Sequence, residues 1–152
     1  VYSGTAAAAR QAAFWRLPSA ALSLVEGGTY YWDMAVSYSV KNLEYFRDVW
    51  KADTFVNVNI PNTPDGPDGM ELTFPSLRIY HDAVSPYEAP DGRFYCFFRS
   101  GETETPSENG SDWDAVARGR ASVSSIFIHP VISDGAGGVT SGRKAAATGA
   151  GR

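Results

Sequence analysis

Val1-Tyr2-Ser3-Gly4-Thr5 leads into Ala6-Ala7-Ala8-Ala9-Arg10-Gln11-Ala12-Ala13, and beyond Leu17-Pro18 the chain reads Ser19-Ala20-Ala21-Leu22-Ser23-Leu24. Ser3 or Thr5 can cap a helix through its hydroxyl, and Gly4 lets another group approach the backbone closely. Residues 6–16 predict the helix, because alanine loses no side-chain entropy there and is small enough to lie flat on a sheet. Pro18 stops it, and the short apolar run that follows reads as a strand. Loop, helix and strand in this order form the second half of a βαβ unit. The fold expected is therefore α/β, the second half of a Rossmann-like parallel sheet layered with helices. A helix N-terminus carries free N–H groups and the positive end of the dipole, so the hydroxyl-rich loop suits a phosphate. An ordinary N-cap uses the same residues.

Working outward, residues 25–29 read as a loop and residues 31–50 as a second helix. Val36, Val40, Leu43 and Trp50 fall on one helical face, with Phe46 beside them, which marks a core-facing stripe. Tyr31, Tyr38 and Tyr45 form a second stripe, suited to a half-buried flank or a subunit contact. Residues 55–60 alternate, with Val56, Val58 and Ile60 on one side and Phe55, Asn57 and Asn59 on the other, the pattern of a strand. Pro61 ends it, and residues 62–69 form a double turn that lacks the ligand spacing of a calcium loop.

Residues 70–80 are strand-like but interrupted by Pro75, hence an edge or a bulge. Turns are expected at Ser85-Pro86 and Ala89-Pro90-Asp91-Gly92. An aromatic strand follows over 93–99, and together these segments suggest a β-hairpin extension. Residues 101–110 read as a polar surface loop. Asp112 is the expected N-cap of a short helix over 113–118, with Gly119 its stop. Capping and dipole complementation account for Asp112 and Asp114 better than a catalytic pair does. Residues 121–128 read as a strand. One domain is expected over 1–132. Residues 133–152 are mostly Gly, Ala, Ser and Thr and read as an unstructured tail.

At 152 residues, 43% hydrophobic and 20% charged, the chain can bury a real core. A net charge of −4 offers no field for a nucleic-acid polymer. A small nucleotide stays possible if a metal supplies positive charge. Cys96 is the single cysteine, which excludes an internal disulfide and multi-cysteine zinc sites and fits a reducing, cytoplasmic setting. Between aromatics, it reads as a buried inert thiol. No apolar run reaches membrane-spanning length. His81 and His129 sit at strand ends without convergent partners. Gly137 to Lys144 only superficially resembles a phosphate loop, since Ala145 stands where a metal-binding hydroxyl belongs. No nucleophile elbow surrounds Ser3.

Four stretches carry a family resemblance. Tyr2-Ser3-Gly4-Thr5 with its alanine-rich helix and Leu17-Pro18-Ser19-Ala20-Ala21-Leu22-Ser23-Leu24 resembles the survival protein SurE family. Asn57-Val58-Asn59-Ile60-Pro61 resembles its N-x-N-x-P strand end, and Asp91-Gly92-Arg93-Phe94-Tyr95 one of its turns. Ser111-Asp112-Trp113-Asp114-Ala115-Val116 and Gly119-Arg120-Ala121-Ser122-Val123-Ser124 resemble its C-terminal pattern. The resemblance implies a metal-dependent 5′/3′-nucleotidase, or acid phosphatase, acting on nucleoside monophosphates. It implies a divalent metal, Mg or Mn, and a homo-dimer or tetramer that exchanges C-terminal elements.

Ser3, Gly4 and Thr5 would then hold the phosphate. The family's metal ligands, an Asp-Asp pair, a Ser and an Asn, would lie upstream of Val1. No catalytic or metal-binding residue is therefore expected in this chain, and alone it is expected to be inactive. The family ending S-x-T-P-L reads Ser122-Val123-Ser124-Ser125-Ile126 here, and His129 stands where the family has an Asp. A non-catalytic fragment or oligomerisation module of the same fold is the alternative, and a sugar- or polymer-binding β module a third.

Overall fold

The computed structural model describes residues 3–129, 131–133 and 139–141. Helix α1 (Gly4–Phe14) leads into strand β1 (Ala20–Leu24). Helices α2 (Trp32–Lys41) and α3 (Leu43–Val49) then precede β2 (Thr54–Ile60). The α1 helix ends in a Schellman arrangement, with Leu17 N–H donating to Ala12 C=O at 3.1 Å and Arg16 N–H to Ala13 C=O at 2.9 Å. Arg16 takes the left-handed position, φ 60°, which glycine usually fills. The chain thus reverses before Pro18, and β1 runs back along α1.

Strands β1 and β2 are parallel, as expected, with Leu22 opposite Val58. The sheet as a whole is mixed. It has four strands, completed by β8 (Ala121–Phe127) antiparallel to β2, and β3 (Met70–Leu72) parallel to β8. Small residues of α1, Ala9 and Ala13, close on Ala21, Phe55 and Ile128 on one face. On the other face Ala35 and Phe46 pack on Val56, Val58, Ile60 and Val123. Burying each of these large side chains contributes about 1.5–3 kcal/mol.

The expected single helix over 31–50 is broken at Asn42. Its side-chain N–H donates to the Tyr38 carbonyl at 2.8 Å and so competes with the backbone ladder. Of the stripe expected in the core, Trp50 is half-buried against it and the neighbouring Phe46 lies in it, but the other three residues lie outside. Val36, Val40 and Leu43 are exposed, while Ala35, Ser39 and Phe46 are buried. Small side chains let α2 approach the sheet closely, Met34 and Tyr38 flank the contact half-buried, and Val36 and Val40 point away.

Pro75 separates β3 from β4 (Ile79–Tyr80), which pairs with β7 (Thr103–Glu104) inside the expected loop. Gly101 is required there, since a Cβ would collide with the His81 carbonyl oxygen. The expected hairpin forms from β5 (Ala83–Glu88) and β6 (Phe94–Arg99). Ser85 and Pro86 lie within β5 rather than in a turn; a two-stranded ribbon is all edge and tolerates proline.

The short helix α4 (Asp112–Ala117) is capped by Ser111 rather than Asp112, the Ser111 Oγ accepting from Asp114 N–H at 3.2 Å. Asp112 instead ties back to Ser76, accepting from its N–H at 2.9 Å and from its hydroxyl. Gly119 stops α4 at φ +76°. Within the expected tail, β10 (Val139–Ser141) pairs antiparallel with β9 (Val131–Ser133). Its remainder lies outside the described residues. No helix among the described residues is long and apolar enough to cross a membrane.

Candidate phosphate-binding site

The α1 N-terminus lies at the C-terminal end of β1, because the helix runs antiparallel to the strand it precedes. Ser3 is the N-cap, its Oγ accepting from Ala6 N–H at 3.2 Å and its carbonyl from Ala7 N–H at 3.0 Å. The N–H groups of Gly4 and Thr5 stand ahead of any intrahelical acceptor. No acidic side chain occupies the first turn, so the positive end of the helix is not neutralised. Ser3, Gly4 and Thr5 are all exposed, and a Cβ on Gly4 would meet nothing within 4 Å. Capping leaves the Ser3 proton free to donate. Capping and contact with an anion are therefore compatible on one residue.

The sheet face beneath α1 changes character along β2. Ala21, Phe55 and Ile128 bury α1. Toward the C-terminal end of β2, cross-strand partners become polar. Ser23 stands opposite Asn59, Asn59 opposite Ser122, and Ser122 opposite Glu71. Opposed residues share a face, so these four form one row across the sheet. Asn59 Nδ2 donates to Ser122 Oγ at 3.0 Å, and one step along, Thr73 and Ser124 hydroxyls meet at 2.8 Å. The sequence shows the alternation in β2, but pairing Asn59 with Ser122, 63 residues away, needs the register.

Asn62 is a further residue the sequence did not single out. It accepts from Tyr31 N–H at 3.1 Å and donates to the Thr29 carbonyl at 2.8 Å, fixing the loop beyond β1. A Cβ at Gly27 would come 2.6 Å from its Nδ2, so the glycine admits the clamp. The only sequence signal is Gly27-Gly28 facing an Asn after the strand-ending proline.

The remaining expected residues are scattered. His81 lies beside Glu104 at 3.6 Å. His129 meets Asp53 at 3.3 Å between the rings of Phe14 and Phe127. Cys96 is exposed rather than buried, because neither face of the hairpin is covered. Asp114 accepts from Gly110 N–H and pairs with Arg118 at 3.0 Å. Those hydrogen bonds, the one from Arg118 foremost, hold its carboxyl below the usual range. Glu71 is lowered first by its hydrogen bond from Arg118, which is bidentate at 2.9 and 2.7 Å. Apart from residues 139–141, the glycine-rich run at 137–144 lies outside the described residues.

The family model described as survival protein SurE matches residues 1–82. The chain belongs to the SurE family. A 5′-nucleotidase SurE of Geotalea daltonii is 34% identical over 131 residues, covering 84% of this chain and 52% of that protein. One from Methylococcus capsulatus is 32% identical over 130 residues, with the same coverage. The crystal structure of the SurE protein from Aquifex aeolicus superposes with a TM-score of 0.63 at 27% identity, covering 84% of this chain and 52% of that one. The chain thus spans about half the length of the curated SurE relatives it matches.

The family resemblance implies a divalent metal, and the residues around α1 do not fit one. They offer N–H donors and hydroxyls, a set that attracts an anion. Among the described residues, no three His, Cys, Asp or Glu side chains converge closely enough to hold a metal ion.

Proposed function

We propose that this chain supplies the phosphate-holding part of a phosphohydrolase acting on nucleoside 5′- or 3′-monophosphates. The observation that carries the reading is the uncompensated α1 N-terminus, with Ser3, Gly4 and Thr5 free to donate, in a chain of the SurE family. These donors would bind the non-bridging phosphate oxygens and hold the phosphorus for attack by water. Hydrolysis breaks the P–O ester bond and releases nucleoside and inorganic phosphate. A divalent metal, Mg or Mn, would supply Lewis acidity. Its ligands would come from the part of the family's domain that this chain does not span. On this reading residues 1–152 alone are inactive, the working protein is a cytoplasmic homo-dimer or tetramer, and residues 133–152 form a tail that follows the 1–132 domain.

Phosphate release from nucleoside monophosphates, measured with Mn or Mg, tests this. A protein carrying the whole SurE domain with this segment should turn over, and Ser3→Ala in it should cut kcat/KM about tenfold, the scale of one lost charge-assisted donor. Residues 1–152 alone should stay at the metal-free blank. Unchanged kinetics in Ser3→Ala, or turnover by residues 1–152, overturns the assignment.

A second reading rests on the β5–β6 hairpin, where Phe94, Phe97, Phe98 and Tyr87 are more than half exposed. It makes the chain an association module of the same fold. Light scattering showing a monomer at high concentration counts against it.

A further inference from the structure

The chain leaves β1 at Leu24 and crosses to the start of α2 through residues 25–31. Hydrogen bonds to the end of β2 hold this crossing in place. Val25 N–H donates to Ile60 C=O at 2.9 Å. Just beyond β2, Asn62 accepts from Tyr31 N–H and donates to Thr29 C=O. The two Asn62 bonds bracket Tyr30, so the backbone that carries its ring is fixed from both sides.

The Tyr30 ring stacks on that of Trp32, with centroids 5.4 Å apart and planes 17° from parallel. Both side chains lie outside the two buried clusters of the sheet. Tyr30 is 42% exposed and Trp32 60%. The order of this pair therefore comes from main-chain hydrogen bonds and not from burial. Ring surface held in one orientation and left in water is surface that a third ring can cover.

Its place in the fold says which ring. The crossing lies beyond the C-terminal ends of the parallel strands β1 and β2, the same end of the sheet at which Ser3, Gly4 and Thr5 cap α1. In open α/β sheets, ligands settle in the crevice outside the carboxyl ends of the strands. A nucleoside monophosphate joins an anion to a flat aromatic ring through one ribose. This end of the sheet presents N–H donors for the one and a fixed aromatic stack for the other.

We propose that the Tyr30–Trp32 pair seats the base of the nucleotide whose phosphate the α1 N-terminus holds. The inference rests on the phosphohydrolase reading above. Every base has a π face, so the pair binds by stacking and accepts any of them. Asn62 acts through Tyr30 and is a positioning residue.

Steady-state kinetics on a protein carrying the whole SurE domain with this segment test it. Adenosine 5′-monophosphate is compared with ribose 5-phosphate, which keeps the phosphate and the ribose and lacks the base. Trp32→Ala should cut the advantage of the nucleotide over ribose 5-phosphate about tenfold, the scale of one lost base stack. The loss should appear in KM, as for binding shared by ground and transition states. Trp32→Phe should recover most of it, and Tyr30→Ala should act in the same direction by a smaller factor. An unchanged ratio between the two substrates, or a lowered denaturation midpoint with both substrates affected equally, assigns the pair to packing and overturns the proposal. Adenosine alone, followed by quenching of tryptophan fluorescence, separates this proposal from the one it rests on. Quenching that is lost in Trp32→Ala, in a protein that releases no phosphate, sustains the base seat and counts against the phosphohydrolase reading. Turnover of the nucleotide with a KM indifferent to Trp32 counts against the base seat alone.

Discussion

Strand β2, Thr-Phe-Val-Asn-Val-Asn-Ile, and strand β6, Phe-Tyr-Cys-Phe-Phe-Arg, are both built from strand-forming residues. Their surroundings are opposite. Val56, Val58 and Ile60 of β2 are no more than 1% exposed, sandwiched between α1 and the α2–α3 pair. Every residue of β6 is exposed, and its partner β5 is nearly so. Local propensity makes both strands, but only β2 is placed where other elements stack on it. The fold's stability therefore belongs to the β1–β2–β8 sheet and its helices. The hairpin is an appendage whose apolar side chains contribute little to the isolated chain.

The largest effect that separates the two regions is expected at Phe46. It is 2% exposed and is the large side chain α3 drives into the β2 face. Phe46→Ala removes its transfer free energy and leaves a cavity, a loss of about 3–5 kcal/mol. Urea denaturation followed by circular dichroism measures it. A loss below about 1 kcal/mol would mean that the core lies elsewhere.

Phe46 also shows what was legible beforehand. Helical periodicity placed it near a buried stripe, and the element types from α1 to β2 follow from caps, prolines and alternation. Periodicity chose the wrong face of α2, however. Val36 and Val40 carry more apolar surface than Ala35 and Ser39, yet the small residues are the ones buried. A pattern weighted by hydrophobicity cannot see that small residues win where a helix backbone lies close to a sheet. The capped end of α1 proposed to hold phosphate was legible for the matching reason: Ser3 to Thr5 form a local device that one turn of helix defines. The row Ser23–Asn59–Ser122–Glu71 was not, because it exists only after strands far apart in sequence are placed in register.

A smaller effect is expected at β3, the strand at the other end of the sheet from β1. Arg118 at the end of α4 grips Glu71 on β3 and Asp114 one turn back, and both carboxyls are held below the ordinary carboxylate range. A lowered folded-state pKa contributes stability that is fully present above the unfolded carboxylate value. It is lost as pH falls through the folded one. Arg118→Ala should therefore be less stable than the parent at neutral pH, and the two should converge as pH falls below the ordinary carboxylate range and both carboxylates protonate. The network is partly solvent-exposed, so the difference should also shrink in high salt. Denaturant midpoints across that pH range measure it. A gap that stays constant with pH would assign Arg118 a packing role instead of an electrostatic one.

The smallest effect is expected on the hairpin itself. Phe97 stands opposite Ser85 on the ribbon and is 59% exposed. Truncating a side chain that solvent already surrounds removes little burial, so Phe97→Ser in dilute solution should change stability by no more than about 0.5 kcal/mol. Exposed aromatics on a two-stranded ribbon do favour association. The same substitution should therefore lower the apparent mass of the chain at high concentration, read by light scattering, while leaving the dilute denaturation curve in place. Because an association that stabilises the fold makes the midpoint depend on concentration, the two readouts can be taken on one dilution series. If Phe97→Ser costs about 2 kcal/mol or more even at the lowest concentration, the ribbon packs on the chain's own sheet in solution. The division between a self-sufficient sheet and an appended hairpin then fails.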